Sequence, residues 1–260
     1  MNNFISIDFS QVITYILLAI IAIVGVVITM LSYRILNVIP AKWLCDYDEE
    51  PDETLLGERY NYKQSGIYTS ALFAVFLLLC YTVFGNSLYT LFMMLISFVL
   101  LLITLCDFKY TIIPDQFVVI LAVLCLGMGI FDLFSQNYFI QQWWHIPVGA
   151  VCGGGFLFAI NLLSILLLKK HGMGFGDVKL MAALGACIGF PKTFIALLLA
   201  VIVSFVFIIC KVVANAITKK DDSSYFPFGP FLCLGSLFTI LFDYHINAVI
   251  KWYISLITIN

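Results

Sequence analysis

Charged side chains are scarce in this chain. Only 11% of its 260 residues are Asp, Glu, Lys or Arg, whereas 63% are hydrophobic, and the mean hydropathy is +1.07. So few polar residues cannot cover the surface of a water-soluble globule, which excludes an ordinary soluble domain. The formal net charge of -2 contains no strong basic surplus, so no nucleic-acid partner is predicted.

Cysteine motifs are also missing. The eight cysteines include no C-x-x-C pair, and only Cys45 lies in a polar segment. Neither a structural zinc site nor a disulfide framework is therefore predicted, and the other cysteines are expected to behave as small buried hydrophobic residues. The N-terminus lacks a basic region before its first apolar run, and that run is longer than a signal-peptide core, so it is interpreted as a membrane span.

The chain contains instead a series of long apolar runs. A transmembrane helix needs about 20 predominantly apolar residues, and the runs that approach this length, with one shorter run, predict an all-α polytopic membrane protein with about eight transmembrane helices. The runs are 11–33, 67–84, 88–106, 117–134, 146–168, 178–190, 192–213 and 227–241. The run 246–258 contains Lys251 and is either a ninth short span or an interfacial helix.

The distribution of Lys and Arg predicts the orientation in the membrane. With the N-terminus outside, nearly all of these residues face the cytoplasm, as the positive-inside rule requires, and Lys192 and Lys251 are the exceptions. The predicted division of the chain is a first transmembrane helix at 1–33, a short acidic cytoplasmic loop at 34–66 and a transmembrane core at 67–260.

Two aspartates lie at the ends of apolar runs. Asp107 ends the third run, and Asp177 follows Gly174-Phe175-Gly176 directly before the shortest run. Ionisable residues at membrane depth are costly, so each is a candidate functional residue. Two carboxylates that share one proton can hydrolyse a peptide bond without a metal ion, because one polarises the carbonyl and the other activates water. The glycines allow a substrate backbone to approach closely.

Structural interpretations stay open for the same residues. Asp177 could be the N-cap of the helix that follows it, and Asp107 could pair with Lys109 at the membrane interface. Asp115 follows a proline and precedes an apolar run, which favours an N-cap first and a supporting polar role second. The glycine triplet at 153–155 predicts close helix packing in the fifth span.

Three motifs occur in order along the chain. They are the stretch from Asp107 to Asp115, which ends in Ile-Pro-Asp, the run from Gly172 to Leu180, and Pro-Phe-Gly-Pro-Phe at 227–231. On these residues the chain resembles the bacterial type IV prepilin peptidases, which are also described as prepilin leader peptidases and GxGD intramembrane aspartyl proteases. A weaker similarity covers the segment from Ser32 to Pro40.

The resemblance implies an activity and a site. Asp107 and Asp177 match the family's catalytic aspartates, which cleave a basic leader peptide from pilin, pseudopilin or competence precursors at the cytoplasmic face of the bacterial plasma membrane. Proteolysis of this kind is expected to need no cofactor. The positions that match supporting or substrate-binding motif residues are Asp115, Gly174, Gly176, Lys179, Pro227, Gly229 and Pro230.

The segment after the first helix departs from the family. Many members carry two C-x-x-C pairs there, in an insert that resembles a zinc-bound knuckle and is linked to methylation of the newly exposed N-terminus. This chain has Cys45 and six carboxylates between positions 46 and 53, so no zinc is expected and N-methylation with S-adenosylmethionine is left open. The carboxylates either steer a basic leader or simply keep the loop in water.

Other classes of protein compete with this interpretation. The archaeal preflagellin peptidases share the aspartate pair. A membrane transporter would use carboxylates near the bilayer midplane and show repeat symmetry, whereas these aspartates lie at span ends and the sequence has no visible internal repeat. A non-catalytic assembly scaffold would tolerate Asn at both aspartates. The sequence predicts no particular oligomeric state.

Overall fold

The structure is a computed structural model, and it describes residues 12–45, 59–135, 140, 142–169, 172–218 and 226–258. It divides into two compact units, Met1–Leu124 and Cys125–Asn260, and each is described by itself. The regular secondary structure within the described residues is entirely helical. This confirms the predicted all-α class.

Unit 1 holds the helices of the first half of the chain. Between the first two of them lie a short 3-10 helix, Ala41–Leu44, and a π-helical turn, Tyr62–Gly66. The boundary between the units falls inside the fourth helix. The α-helices are α1, Val12–Val38; α2, Ile67–Phe84; α3, Leu88–Tyr110; and α4, Asp115–Phe134.

Unit 2 holds the remaining helices. The shortest are α6 and α8, with 14 and 13 residues. Within this unit α5 packs along α6, and α8 packs against both α6 and α7. The helices are α5, His145–Leu168; α6, Phe175–Ile188; α7, Lys192–Thr218; α8, Gly229–Leu241; and α9, Asp243–Thr258.

Six helices of the described residues are long and apolar enough to cross a membrane, namely α1, α2, α3, α4, α5 and α7. A seventh span results if α8 and the first half of α9 count as one, although their axes are bent by 77°. The predicted multi-pass membrane protein is therefore confirmed, and the number eight stays a prediction. The difference between seven spans and the predicted eight concerns α6. Its 14 residues extend only about 21 Å, whereas the hydrocarbon core is about 30 Å thick.

Several helices run past the ends of the apolar runs that predicted them. The first helix continues to Val38 rather than ending at 33, and Arg59 donates to the carbonyl oxygens of Leu36 and Ile39 at this end. The third continues to Tyr110, so Asp107 lies inside its last turn. The apolar runs therefore ended before the helices that contain them.

Close packing of α1 and α2 forms the core of unit 1. An ideal Cβ at Gly25 would lie 2.8 Å from the Cα of Ala74, so only glycine allows this approach. Around the contact Ile21, Phe73, Leu77 and Tyr81 form a buried cluster. The pairing holds the C-terminal end of α1 beside the segment that precedes α2.

Candidate active site

Asp107 lies in the last turn of α3 and is only 4% exposed. The helix ends three residues later at Tyr110, because Thr111 adopts a left-handed conformation with φ 55° and donates its N–H to the Asp107 carbonyl oxygen at 2.9 Å. The carboxylate is thus carried on a helix end rather than in the middle of a span. This position fits a reaction at the membrane boundary.

The alternative partner for Asp107, Lys109, has contacts of its own. Its ammonium group donates to the carbonyl oxygen of Arg59. The same group lies over the rings of Tyr60 and Tyr110, 4.7 and 5.3 Å from their centroids. Lys109 therefore binds the segment before α2.

Asp177 lies in the first turn of α6 and is 8% exposed. Its N–H donates to the carbonyl oxygen of Gly174 at 3.2 Å, and Gly174 is the N-cap of the helix. Asp177 is therefore inside the helix and is not its N-cap. The amide groups at a helix N-terminus favour a negative charge, which suits a carboxylate at this position.

Gly174 leaves room beside this carboxylate. Its φ of -66° and ψ of 142° are open to any residue, so no strained backbone requires glycine here. An ideal Cβ would lie 3.6 Å from Oδ2 of Asp177. The absence of a side chain therefore clears one approach to the carboxylate, whereas Gly176 lies within α6.

The backbone contact between α5 and α6 positions Asp177. Ideal Cβ atoms at Gly149 and Gly185 would each overlap the carbonyl oxygen of the other glycine, and one at Gly153 would lie 2.7 Å from the Met181 oxygen. Two of the three glycines at 153–155 thus allow the packing predicted from the sequence. The third, Gly155, faces open space, with its nearest neighbouring atom 4.0 Å away.

Lys179 is one of the positions that match supporting residues of the family motif. In the structure its ammonium lies 5.1 Å from the centroid of the Phe175 ring, one helical turn earlier. Phe175 is the exposed residue between the two motif glycines. Lys179 and Phe175 together form a cationic and aromatic surface at the start of α6.

The remaining predicted residues begin helices. Asp115 is the first residue of α4 and is half-buried, and the carbonyl of Pro114 accepts the first helical bonds. Gly229 and Pro230 begin α8 and are buried, and a proline is common in the first turn of a helix. Pro227 lies two residues before α8.

The sequence did not single out three residues of unit 1 that surround the end of α3. Asn37, Arg59 and Tyr60 join α1 to α3 through hydrogen bonds between residues 20 to 45 positions apart. Only the similarity of the segment 32–40 to the family pointed to Asn37, and nothing in the local sequence indicated Tyr60. Contacts over such separations have no local signal.

Comparison with known proteins supports the resemblance drawn from the motifs. The model of the Type IV leader peptidase family matches residues 93–209, which include Asp107 and Asp177. A Prepilin leader peptidase/N-methyltransferase of Aeromonas salmonicida is 31% identical over 173 residues, 65% of this chain and 54% of the relative. The protein of the same name from Legionella pneumophila is 30% identical over 175 residues, 66% of this chain and 55% of the relative.

The Escherichia coli (strain K12) protein with this name is 29% identical over 140 residues, 54% of this chain and 58% of the relative. The chain thus spans about half the length of the curated relatives it matches. No solved structure matches it. The similarity to the prepilin peptidase family that the motifs predicted is confirmed.

Proposed function

From the match of residues 93–209 to the type IV leader peptidase family, we propose that this chain is an intramembrane aspartyl endopeptidase. It cleaves the basic leader of type IV prepilin-like precursors, with Asp107 and Asp177 as its catalytic pair. One observation carries the proposal. The family match includes both aspartates, and each is a buried carboxylate at the end of an apolar helix.

The proposed chemistry needs only the two carboxyl groups and water. One carboxylate takes a proton from a water molecule, whose oxygen attacks the carbonyl carbon of the peptide bond, while the protonated carboxyl donates to the carbonyl oxygen. The tetrahedral intermediate then breaks its C–N bond. The amine leaves with the proton that the first carboxylate took from water, and one hydroxyl of the intermediate returns a proton to the second carboxylate, which restores the pair. No metal or other cofactor takes part in this proposed step.

The supporting residues receive roles from their positions. Gly174 leaves the approach to Asp177 open, and Lys179 with Phe175 offers a surface beside it. Asp115 at the start of α4 supplies a polar group one short turn after α3. Gly229 and Pro230 begin the helix that packs against α6, and Pro227 lies just before it. We propose that these three residues shape the substrate-binding surface beside α6.

The distribution of positive charge in this chain and in a basic leader supports the proposed membrane face. The positive-inside rule assigns the loops after α3 and before α6 to the cytoplasm, if the N-terminus is outside. A basic leader also stays on the cytoplasmic side, so the proposed cleavage site and the substrate meet there. The matched relatives are named for prepilins, and we propose the plasma membrane of a bacterium as the location.

Methyl transfer is a separate activity in the names of the relatives. It requires a methyl donor, for which S-adenosylmethionine is the proposed cofactor, and proteolysis does not depend on it. The cleaved product distinguishes the two activities. Its mass, measured with and without S-adenosylmethionine, either includes the added methyl group or does not.

The central experiment measures cleavage of a type IV prepilin in membranes. The parent protein is compared with Asp107→Asn and Asp177→Asn, at equal inserted amounts. Asn keeps the size of the side chain but can neither take up nor release a proton as a carboxyl group does, so uncut precursor should accumulate with both variants. The expected loss is at least about 1000-fold, as for other residues that act directly on the reacting atoms.

Asp132→Asn is a matched control. Asp132 is a fully buried aspartate of α4, and its Oδ2 accepts the N–H of Ile140 at 2.7 Å, a bond that an amide oxygen also accepts. This variant should cleave at a rate close to that of the parent. Cleavage retained by either of the first two variants would contradict the aspartate pair, and a parent protein that does not cleave would favour the transporter or the scaffold.

A further inference from the structure

A short segment of unit 1 lies between the end of α1 and the end of α3. Its first two described residues, Arg59 and Tyr60, are each only 7% exposed. Asn37 in the last turn of α1 holds both. Its Oδ1 accepts the N–H groups of Arg59 at 3.0 Å and Tyr60 at 2.8 Å, and its Nδ2 donates to the Tyr60 carbonyl at 2.9 Å.

The side chain of Arg59 completes the C-terminal end of α1. Its guanidinium donates to the carbonyl oxygens of Leu36 at 3.3 Å and Ile39 at 2.6 Å. The helical partner of the Leu36 carbonyl would be the N–H of residue 40, but this residue is Pro40 and has none. Arg59 therefore supplies a donor that the backbone after α1 cannot provide.

On the other side the same segment binds α3 at two points. The hydroxyl of Tyr60 donates to the carbonyl oxygen of Leu105 at 3.0 Å. The ammonium of Lys109 donates to the carbonyl oxygen of Arg59 and lies over the Tyr60 ring. These contacts reach α3 two residues before and two residues after Asp107.

Tyr60 is suited to a constant donor role. Burial raises the pKa of its phenol far above the usual range, so the hydroxyl keeps its proton at any pH at which a membrane protein works. Its ring also contacts the edges of Tyr33 and Tyr110, with centroids 6.0 and 5.8 Å away. Both its ring and its hydroxyl are therefore held in one place.

We infer that Asn37, Arg59, Tyr60 and Lys109 form a positioning clamp for Asp107. The inference rests on the proposed function, because it assigns these residues to the geometry of the same site. They act through Leu105 and through the turn after Asp107, so they are positioning residues and not catalytic ones. The clamp fixes the end of α3 against α1.

The end of α3 needs such a clamp for a physical reason. The last four carbonyl groups of a helix lack intrahelical donors, and helix ends open more readily than helix centres. A catalytic carboxylate must be held within about 0.5 Å of its working position, and a displacement of about 1 Å can lower the rate by about 100-fold. A frayed last turn would not hold Asp107 to that tolerance.

The test compares two tyrosines of the same segment. Tyr60→Phe removes the hydroxyl that reaches α3, whereas Tyr62→Phe removes a hydroxyl that bonds to Ser70 of α2 at 2.8 Å. Both changes keep the aromatic ring and delete one oxygen. Prepilin cleavage gives kcat and KM separately, and amide hydrogen exchange of the protein without substrate reports on the end of α3, including the Thr111 N–H that binds the Asp107 carbonyl.

We expect Tyr60→Phe to lower kcat roughly fivefold, the effect of one hydrogen bond, with little change in KM. Exchange at the end of α3 should become faster. Tyr62→Phe should change neither quantity. A merely structural loss would instead lower the amount of folded protein and leave kcat per folded molecule unchanged.

Two failures are distinguishable. If the parent cleaves prepilin and the two variants have equal kcat and equal exchange, the clamp is wrong and the proposed function stands. If the parent does not cleave, the proposed function is wrong. Amide hydrogen exchange then tests the clamp by itself. Faster exchange at the end of α3 in Tyr60→Phe but not in Tyr62→Phe supports a clamp on α3, and equal exchange in both variants overturns it.

Discussion

The two aspartates are held by different means. Around Asp107 in unit 1, hydrogen bonds join the end of α3 to a distant segment of the sequence. Tyr60 donates its hydroxyl to the Leu105 carbonyl oxygen, and Lys109 of α3 donates its ammonium to the Arg59 carbonyl oxygen. Around Asp177 in unit 2, glycines bring the backbones of α5 and α6 into direct contact. Asp107 is in the last turn of its helix, whereas Asp177 is in the first turn.

This difference has consequences for how each region tolerates change. A hydrogen-bonded clamp loses about 0.5–1.5 kcal/mol with each neutral bond removed, so its failure is gradual. A contact between two backbones cannot accept a methyl group without separating the helices, so its failure is abrupt. The predictions below test that contrast.

The largest effect is expected from Gly149→Ala in α5. The new Cβ would overlap the Gly185 carbonyl oxygen and lie 2.9 Å from the Cα of Gly189. Because these neighbours are backbone atoms that cannot rotate away, α5 and α6 must separate, at a cost of about 3 kcal/mol. Cleavage should fall at least about tenfold, since Asp177 lies in the first turn of α6.

Gly155→Ala provides the control in the same helix. Its Cβ would meet only Cγ1 of Val151, at 4.0 Å. Thermal unfolding in detergent and prepilin cleavage should match the parent, with a slight gain in stability because Ala favours the helix. Equal behaviour of the two variants would show that backbone contact does not position Asp177.

A smaller effect is expected from Arg59→Met in unit 1. The change keeps much of the side-chain volume but leaves the carbonyl oxygens of Leu36 and Ile39 without their charged donor. The free energy of unfolding should fall by about 1–2 kcal/mol. The measurement is the thermal unfolding midpoint of the purified protein in detergent.

The corresponding control is Arg34→Met, at an exposed position of α1. It also removes one positive charge from unit 1 and should leave the midpoint nearly unchanged. A drop of similar size in both variants would mean that net charge, and not the closure of α1, explains the effect.

Gly174→Ala should alter the approach to Asp177 with little effect on folding. The backbone conformation is allowed for Ala, and the added methyl would be in ordinary contact with Oδ2, at 3.6 Å. We expect KM for prepilin to rise about threefold while the unfolding midpoint changes by a few degrees at most. A large loss of stability with unchanged KM would assign Gly174 to the fold instead.

The smallest effect concerns long-range charge. Unit 1 contains six carboxylates between positions 46 and 53, whereas the polar end of α7 in unit 2 is followed by only Asp221 and Asp222. These segments lie outside the described residues. If the first group steers a basic leader, raising the ionic strength from roughly 0.01 M to roughly 0.5 M should lower kcat/KM severalfold.

Neutralising the six carboxylates to amides should remove that salt dependence, and the same change at Asp221 and Asp222 should leave it intact. If kcat/KM changes neither with ionic strength nor with substitution of the six carboxylates, these carboxylates do not steer the leader. The carboxylates would then serve only to keep the loop in water.

Local patterns predicted the membrane character well, and helix lengths less well. Long apolar runs predicted six helices that are long enough to span, because the membrane selects directly for apolar length. They underestimated α1 and α3, whose C-terminal ends are bonded to residues that are distant in the sequence. The short run at 178–190 belongs to α6, which begins at Phe175 and includes Asp177.

Some residues of the candidate site could likewise be predicted from the sequence, whereas others could not. Asp107 and Asp177 stand out in the sequence because charges in apolar surroundings are costly and rare. The roles of Gly149 and Gly185 could not be read from it, since a glycine in a helix has a meaning only when its neighbour across the contact is known. Asn37 and Tyr60 are ordinary polar residues until folding brings them to the ends of α1 and α3.

The sequence by itself determined that this is a membrane protein, that it is helical and which two carboxylates are the candidates. Each of these depends on composition or on neighbours along the chain. Tertiary structure decided how those carboxylates are held. The bond from Tyr60 to Leu105 joins residues 45 positions apart, and Gly149 meets Gly185 across two helices. Such contacts depend on distance in space, which no local pattern of residues contains.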